Sequence, residues 1–260
     1  MPLTRLNGID LYYEVHGEGP ALVLAHGGGG SHLSWWQNVP ALAKRHRCVT
    51  FDHRGFGASR DLADGPGPAA FVEDLRQLLD HLGVERAALA GQSMGGWTVL
   101  GFAARYPERV SALVLCDTTA GMDDPEVIRE QSKLRESGKG GLAQILMRAY
   151  APDFPVREPA RCFLYQQISG LNANVPANLL QILMSLRHNV EPIIRHRIPT
   201  MLLVGELDAL APMPVMKLMA QRIPHARFVA VPGSGHSVYF EKPEEFNREL
   251  GDFLAAAGVG

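Results

Sequence analysis

The chain has 260 residues, of which 46% are hydrophobic and 20% are charged, and its formal net charge is −2. This composition is ordinary for a globular protein, and the length suits one large α/β domain or a core domain that carries an insertion. The nearly balanced charge does not favour nucleic acid or an anionic membrane as a partner, and no apolar run approaches the roughly 20 residues of a membrane span.

Short apolar runs alternate with helical patterns over the first 118 residues. Asn7-Gly8 separates two such runs and predicts a hairpin of strands 3–6 and 9–15. The other elements predicted in this part are strands over 21–25, 47–52 and 110–116, an apolar run from 87 that ends before Ser93, and helices over 34–45, 69–82 and after Ser93.

The pattern changes between residues 119 and 197, where helical stripes are separated by Pro and Gly and no convincing strand occurs. Alternation then resumes with strands over 200–204 and 227–231, each followed by a helix, over 212–222 and 242–256. This order predicts a mostly parallel sheet that is covered by helices on both faces. We expect one domain, with a core of 1–118 and 198–260 and a helical cap of 119–197 over the strand ends.

The three cysteines, Cys48, Cys116 and Cys162, are widely spaced, and the first two lie in apolar, strand-like runs. We expect buried thiols in those runs rather than a disulfide framework, which fits a reducing compartment. The N-terminus lacks a basic segment followed by an apolar stretch, so no secretory signal is expected. The predicted localisation is therefore cytoplasmic.

The stretch Gly91-Gln92-Ser93-Met94-Gly95 matches G-x-S-x-G, the pattern of a nucleophile elbow between a strand and a helix. A chance turn could give the same five residues, but the apolar run before them and the helical pattern after them favour the elbow. Such a turn exposes the serine hydroxyl, and the Met94 N–H at the start of the helix would face a developing oxyanion.

A serine hydroxyl needs a base, and a third group must orient that base. Among ten histidines, His236 stands out because a strand, a glycine-rich turn and the final helix place it at the same sheet edge as Ser93. Asp208 follows another strand and is the candidate acid, although a turn or helix-capping aspartate would look the same. Asp117, at the end of the strand 110–116, is the alternative acid.

The segment His26-Gly27-Gly28-Gly29-Gly30 is the candidate for the rest of an oxyanion hole, with the Gly28 N–H as second donor beside Met94. A flexible turn or a phosphate-binding loop would also be glycine-rich, but neither G-x-G-x-x-G before a clean helix nor G-x-x-x-x-G-K-[ST] is present. His26 is interpreted as a brace for this loop rather than a second base.

Five blocks occur in one order along essentially the whole chain: His26-Gly27-Gly28-Gly29, Asp52-His53-Arg54-Gly55-Phe56-Gly57-Ala58-Ser59, Gly91-Gln92-Ser93-Met94-Gly95-Gly96, Gly205-Glu206-Leu207-Asp208 and Gly235-His236. In these blocks the chain resembles the α/β-hydrolase superfamily. The resemblance implies an eight-stranded sheet with a helical cap, Ser93 as nucleophile, and neither a cofactor nor a metal. A serine at this position speaks against the dehalogenase and epoxide hydrolase branches, which have an aspartate there.

Within the superfamily the chain is similar to small carboxylesterases, enol-lactone hydrolases and carbon–carbon bond hydrolases. The last group usually has tryptophan after the catalytic histidine, where this chain has Ser237. Core packing is the better explanation for at least one of the tryptophans near the two motifs. The candidates for contacting substrate are nevertheless two glycines and three tryptophans: Gly27, Gly29, Trp35, Trp36 and Trp97.

The sequence therefore predicts a serine hydrolase that cleaves a carboxylic ester or lactone through an acyl-Ser93 intermediate. Two alternatives stay open, namely a carbon–carbon bond hydrolase and a ligand receptor that retains the fold without turnover. The expected partner is a small-molecule substrate, and a homo-oligomer is left open.

Overall fold

The computed structural model describes residues 2–137, 148–172, 175 and 178–260. Eight strands form one sheet in the order β1-β2-β4-β3-β5-β6-β7-β8, in which β1 and β2 run antiparallel to their neighbours and the rest are parallel. The predicted fold class is thereby confirmed. The strands are β1 Leu3–Leu6, β2 Ile9–His16, β3 Ala21–Ala25, β4 Arg47–Phe51, β5 Ala87–Gln92, β6 Val110–Cys116, β7 Thr200–Gly205 and β8 Arg227–Val231.

The central strands are continuous apolar runs because both faces of the sheet are covered. On one face, side chains such as Leu89 and Leu113 pack with the helices that follow β4, β5 and β7. On the other face, Leu24 and Val114 belong to a cluster that includes Phe246 and Leu250 of the C-terminal helix. Burial on both faces fixes the sheet rigidly, so the loops at its carboxyl edge start from well-defined points.

The helices in the described residues depart from the sequence prediction at two places. The helix predicted over 34–45 is a 3₁₀ turn followed by four α-helical residues, because Pro40 is tolerated only in the first turn of a helix. A short helix before the last one was not predicted. The helices are α1 Val39–Leu42, α2 Phe71–His81, α3 Met94–Arg105, α4 Pro125–Ser137, α5 Phe154–Arg157, α6 Pro159–Gly170, α7 Leu179–Ser185, α8 Glu191–Arg195, α9 Met213–Gln221, α10 Val238–Glu241 and α11 Pro243–Ala256.

The chain between β6 and β7, called the β6–β7 segment below, contains α4 to α8 and no strand among its described residues. Its two ends meet in one parallel bridge, where the His188 N–H donates to the Gly121 carbonyl at 2.8 Å and the Asp123 N–H donates to the His188 carbonyl at 3.0 Å. The predicted cap boundaries of 119 and 197 stay a prediction, and residues 138–147, 173–174 and 176–177 of that cap lie outside the described residues.

The Asn7-Gly8 turn joins β1 to β2 as predicted, with φ of 45° at Asn7 and 84° at Gly8. All three cysteines are free and buried. Within the described ranges, no helix has the length and apolar character needed to cross a membrane.

Candidate active site

Ser93 lies at the sharp turn between β5 and α3, with φ of 48° and ψ of −116°. A non-glycine residue rarely adopts a positive φ, so the surrounding structure must hold it there. Two hydrogen bonds do so: the Ser93 N–H donates to the Cys116 carbonyl at 3.0 Å, and the Thr118 hydroxyl donates to the Ser93 carbonyl at 2.7 Å. The end of β6 therefore fixes both sides of the turn.

Two glycines of the motif allow α3 to approach the sheet closely. A Cβ atom at Gly95 would collide with the Ala25 carbonyl at the end of β3, and one at Gly91 would collide with the Gly95 backbone. The helix consequently begins directly against the carboxyl ends of β3 and β5. Its N-terminus, the positive end of the helix dipole, lies beside Ser93.

His236 follows β8 and lies between Ser93 and Asp208. Its Nε2 is 2.9 Å from the Ser93 Oγ, and its Nδ1 is 2.9 Å and 3.0 Å from the two carboxylate oxygens of Asp208. Both His236 and Asp208 are buried, while Ser93 is partly exposed. The three predicted residues thus form one hydrogen-bonded row that opens at the serine.

Asp208 is held independently of the histidine. Its Oδ1 accepts the backbone N–H groups of Leu210 at 2.7 Å and Ala211 at 2.9 Å. Burial alone would disfavour a charged imidazole, but the charge and hydrogen bond of Asp208 outweigh it and raise the pKa of His236 above 6.5. The ring can therefore accept a proton inside a buried site.

The glycine loop lies beside the serine and the first residue of α3. A Cβ atom on Gly27 would be 3.2 Å from the Ser93 Cβ, and one on Gly28 would be 4.0 Å from the Met94 Cβ. The loop turns tightly, with the Gly30 N–H donating to the Gly27 carbonyl at 2.9 Å, and Gly29 at its tip is partly exposed. The backbone of Gly28 and that of Met94 are therefore neighbours, as an oxyanion hole requires, and their role as donors stays a prediction.

His26 is buried at the base of this loop and contacts only backbone among its hydrogen bonds. Its Nδ1 is 2.8 Å from the Gly27 carbonyl, and its Nε2 is 3.0 Å from the His53 N–H, which donates to it. Burial lowers the pKa of His26, so the ring is neutral, with the proton on Nδ1. This geometry suits the brace that the sequence suggested.

Two further side chains hold the glycine loop and the residues near it, and the sequence analysis assigned a role to neither, although Asp52 belongs to one of the five blocks. Asp52, after β4, accepts the His32 N–H at 2.7 Å and the Ala58 N–H at 2.8 Å. Asn172, after α6, donates to the Gly30 carbonyl at 3.0 Å and accepts the Gly57 N–H at 2.9 Å. The β6–β7 segment is thereby joined to two loops at the carboxyl edge of the sheet.

The three tryptophans lie in different surroundings. Trp35 is fully buried and packs on Tyr239, with ring centres 4.6 Å apart, so core packing accounts for it. Trp36 is 44% exposed at the surface. Trp97 packs in an apolar cluster with Met94, Phe56, Phe71, Leu179 and Leu183. Of the three predicted contacts, Trp97 is the one whose cluster includes a residue of the candidate oxyanion hole.

Asp117, the alternative acid, is buried beside the site but bonds to backbone. Its carboxyl oxygens accept the N–H groups of Gly205 at 2.8 Å and Val238 at 3.2 Å. Burial, together with the charge of Asp208, raises the pKa of Asp117 to about 8. His236 is hydrogen-bonded to Asp208 instead, and its carbonyl accepts the Gln92 side-chain N–H at 2.7 Å, a contact that sequence reasoning missed.

The profile of the alpha/beta hydrolase fold family matches residues 20–149 and 151–243. The chain therefore belongs to this family. Its relatives include two proteins named "Putative carbamate hydrolase RutD". That of Azorhizobium caulinodans is 30% identical over 96% of this chain and 97% of that protein. That of Caulobacter sp. is 32% identical over 94% of this chain and 96% of that protein.

Two solved structures show the same similarity in three dimensions. An esterase from Thermogutta terrifontis has a TM-score of 0.80 and 28% identity, with 98% of this chain and 97% of that chain covered. The enol-lactonase from Burkholderia xenovorans has a TM-score of 0.79 and 28% identity, with 98% and 100% covered.

Proposed function

We propose that the protein is a serine hydrolase that cleaves a carboxylic ester or lactone through an acyl-enzyme on Ser93. The observation that carries this proposal is the hydrogen-bonded row from Ser93 through His236 to Asp208. A hydroxyl, an imidazole and a carboxylate in this order are what activation of a serine requires.

In the first half of the reaction, the His236 Nε2 takes the Ser93 proton while Oγ bonds to the acyl carbon. The negative charge moves to the former carbonyl oxygen, which the N–H groups of Gly28 and Met94 stabilise. Collapse of this intermediate breaks the bond to the leaving oxygen, and His236 returns its proton to the alkoxide. Water, deprotonated by the same ring, then attacks the acyl-serine. The bond between the acyl carbon and the Ser93 Oγ breaks, His236 returns its proton to that oxygen, and the acid is released.

The comparisons support an acyl substrate. The esterase and the enol-lactonase act, by their names, on bonds between an acyl carbon and oxygen, and each covers nearly the whole chain. An acyl-oxygen bond is also the simplest substrate for this site, because an alkoxide needs only the proton that His236 carries.

Carbamate hydrolysis is the second candidate, because the two relatives that share 30% and 32% identity are named for it. A carbamate presents the same electrophilic carbon with a nitrogen substituent. The same residues would serve, so substrate preference alone separates the two candidates.

Replacement of the nucleophile tests the proposal most directly. Ser93→Ala should abolish covalent labelling by a fluorophosphonate and lower kcat on an aryl ester by about 10⁶-fold, because the three residues act as a unit. Ser132→Ala, an exposed helix position, is the matched control and should leave both unchanged. Labelling of the Ser93→Ala protein at the wild-type rate would remove Ser93 from this role.

Turnover separates the enzyme from a ligand receptor with the same fold. We expect repeated turnover on a good ester with kcat in the range of roughly 1–10³ s⁻¹. A screen of p-nitrophenyl esters, lactones and aryl carbamates with purified protein measures it. One turnover followed by a stall on every substrate would favour the receptor.

Carbon–carbon cleavage should be the weaker activity. The residue after His236 is Ser237, which is buried and donates its hydroxyl to the Ala149 carbonyl at 2.6 Å, so this hydroxyl is already engaged. We expect kcat/KM for a short aryl ester or a lactone at least about tenfold above that for a ring-cleavage dienoate, about 1.4 kcal/mol in transition-state stabilisation. Faster turnover of the dienoate by the same preparation would contradict this.

A further inference from the structure

Glu241 is a buried carboxylate that the proposed chemistry does not use. It ends α10, five residues after His236, and is 1% exposed. Among the residues that the structure describes, no cation forms an ion pair with it. A buried carboxylate without a cation is costly unless hydrogen bonds satisfy it, so its acceptors must be occupied.

Three backbone N–H groups satisfy Glu241. Its Oε1 accepts from Gly235 at 2.9 Å and from Ser237 at 3.3 Å, the two residues that flank His236. Its Oε2 accepts from Ala151 at 2.9 Å, which belongs to the β6–β7 segment. One carboxylate thus links the backbone on both sides of the histidine to a segment from a different part of the chain.

The same segment packs directly on the histidine loop. The Ser237 hydroxyl donates to the Ala149 carbonyl, and a Cβ atom on Gly235 would collide with the backbone of Tyr150 and Ala151. From the opposite side, the Gln92 side chain holds the His236 carbonyl. Hydrogen bonds therefore hold the backbone at His236 from two sides, from Gln92 on one side and from Glu241 on the other.

We propose that Glu241 is a positioning residue: it aims the His236 ring at Ser93 and makes that alignment depend on docking of residues 149–151. This inference rests on the proposed function, because it concerns the same base. Displacement of a catalytic group by about 1 Å can lower the rate by about 10²-fold even when the change is made elsewhere. Loss of the three-way contact should therefore reduce kcat more than it changes KM.

The test compares Glu241→Gln and Glu241→Asp with Glu244→Gln, an exposed glutamate in the first turn of α11 that serves as control. In Glu241→Gln, an NH₂ group replaces an oxygen that accepts a backbone N–H, so a hydrogen bond is lost. In Glu241→Asp, the negative charge remains but the side chain is one methylene group shorter. We expect kcat per fluorophosphonate-titrated site to fall about 10–100-fold for Glu241→Gln and less for Glu241→Asp, with KM within about twofold. Glu244→Gln should match the wild type.

Proton NMR gives a readout that needs no substrate. The Nδ1–H of His236, bonded to Asp208, should give a low-field resonance that is shifted or broadened in Glu241→Gln and unchanged in Glu244→Gln. Wild-type kcat together with a wild-type resonance in Glu241→Gln would overturn the positioning role. If Glu241→Gln does not fold, the same result in Glu241→Asp would overturn it. Failure of the proposed function would appear instead as absence of turnover in the wild type, and the resonance would still test the role of Glu241.

Discussion

Two aspartates stand beyond the carboxyl ends of neighbouring strands, Asp117 after β6 and Asp208 after β7, and both are buried. Asp208 faces an imidazole ring and two backbone N–H groups, whereas Asp117 faces the backbone N–H groups of Gly205 and Val238 and the Cys116 thiol. Both are buried and both follow the carboxyl end of a strand, Asp117 directly after β6 and Asp208 three residues after β7. The donors that reach each carboxyl decide which one can orient the histidine.

The pKa values of the groups beside the two aspartates reflect these different surroundings. The charge of Asp208 raises the pKa of His236, while burial and that same charge raise the pKa of Asp117 to about 8. Two carboxyls so close together in a buried place do not ionise independently. Asp117 therefore holds its proton more tightly than an ordinary aspartate does.

Asp208→Asn should give the largest effect within this comparison. Removing the orienting carboxylate should lower kcat about 10⁴-fold, because the ring would lose both its preferred tautomer and the charge that stabilises the imidazolium. Ester turnover measured under saturating substrate, with circular dichroism to verify folding, checks this. A loss of less than tenfold would show that Asp208 is not the acid.

Asp117→Asn should cost much less, about tenfold or below. The amide oxygen can still accept one of the two backbone N–H groups, and the pair of His236 with Asp208 stays in place. The measurement is kcat of both variants in one assay. If Asp117→Asn were the more severe change, the role of acid would move to the loop after β6.

The pH dependence of kcat/KM reports how strongly Asp208 acts on the histidine. Only the neutral His236 ring can take the Ser93 proton, and its pKa is raised, so the acidic limb of the wild type should have its midpoint above pH 6.5. In Asp208→Asn, loss of the negative charge should move this limb to lower pH. The residual activity of the variant, followed from pH 5 to 9, measures the shift, and an unmoved limb would argue against this electrostatic coupling.

The last prediction concerns stability rather than rate. Asp117 has a pKa of about 8 in the folded chain against an ordinary value of 3.8, so the fold retains a proton that the unfolded chain releases. Wild-type stability should therefore fall, on account of this group, as the pH rises from about 4 to about 8. Asp117→Asn cannot ionise, so its stability relative to the wild type should improve over that window. Denaturant unfolding at several pH values tests this, and parallel curves would contradict it.

The fold and the row of three polar residues were accessible from the sequence because both depend on local signals. Apolar runs marked the strands, and Ser93, Asp208 and His236 each followed one of them. Gln92 and Glu241 were not accessible, since the partner of Gln92 lies 144 residues away along the chain and one partner of Glu241 lies 90 residues away. All of these partners are backbone groups, which carry no sequence signature. The sequence over 34–45 predicts one helix, but Pro40 fits only the first turn, so the α-helical part is limited to Val39–Leu42.

The positive φ of Ser93 also bears on how this protein would evolve under selection. Glycine is the residue that such a backbone conformation favours, and strain of this kind costs of the order of 1–3 kcal/mol for other residues. A library screened only for thermal tolerance should therefore enrich glycine at position 93 and discard the hydroxyl. Only a screen that also demands turnover would keep the serine.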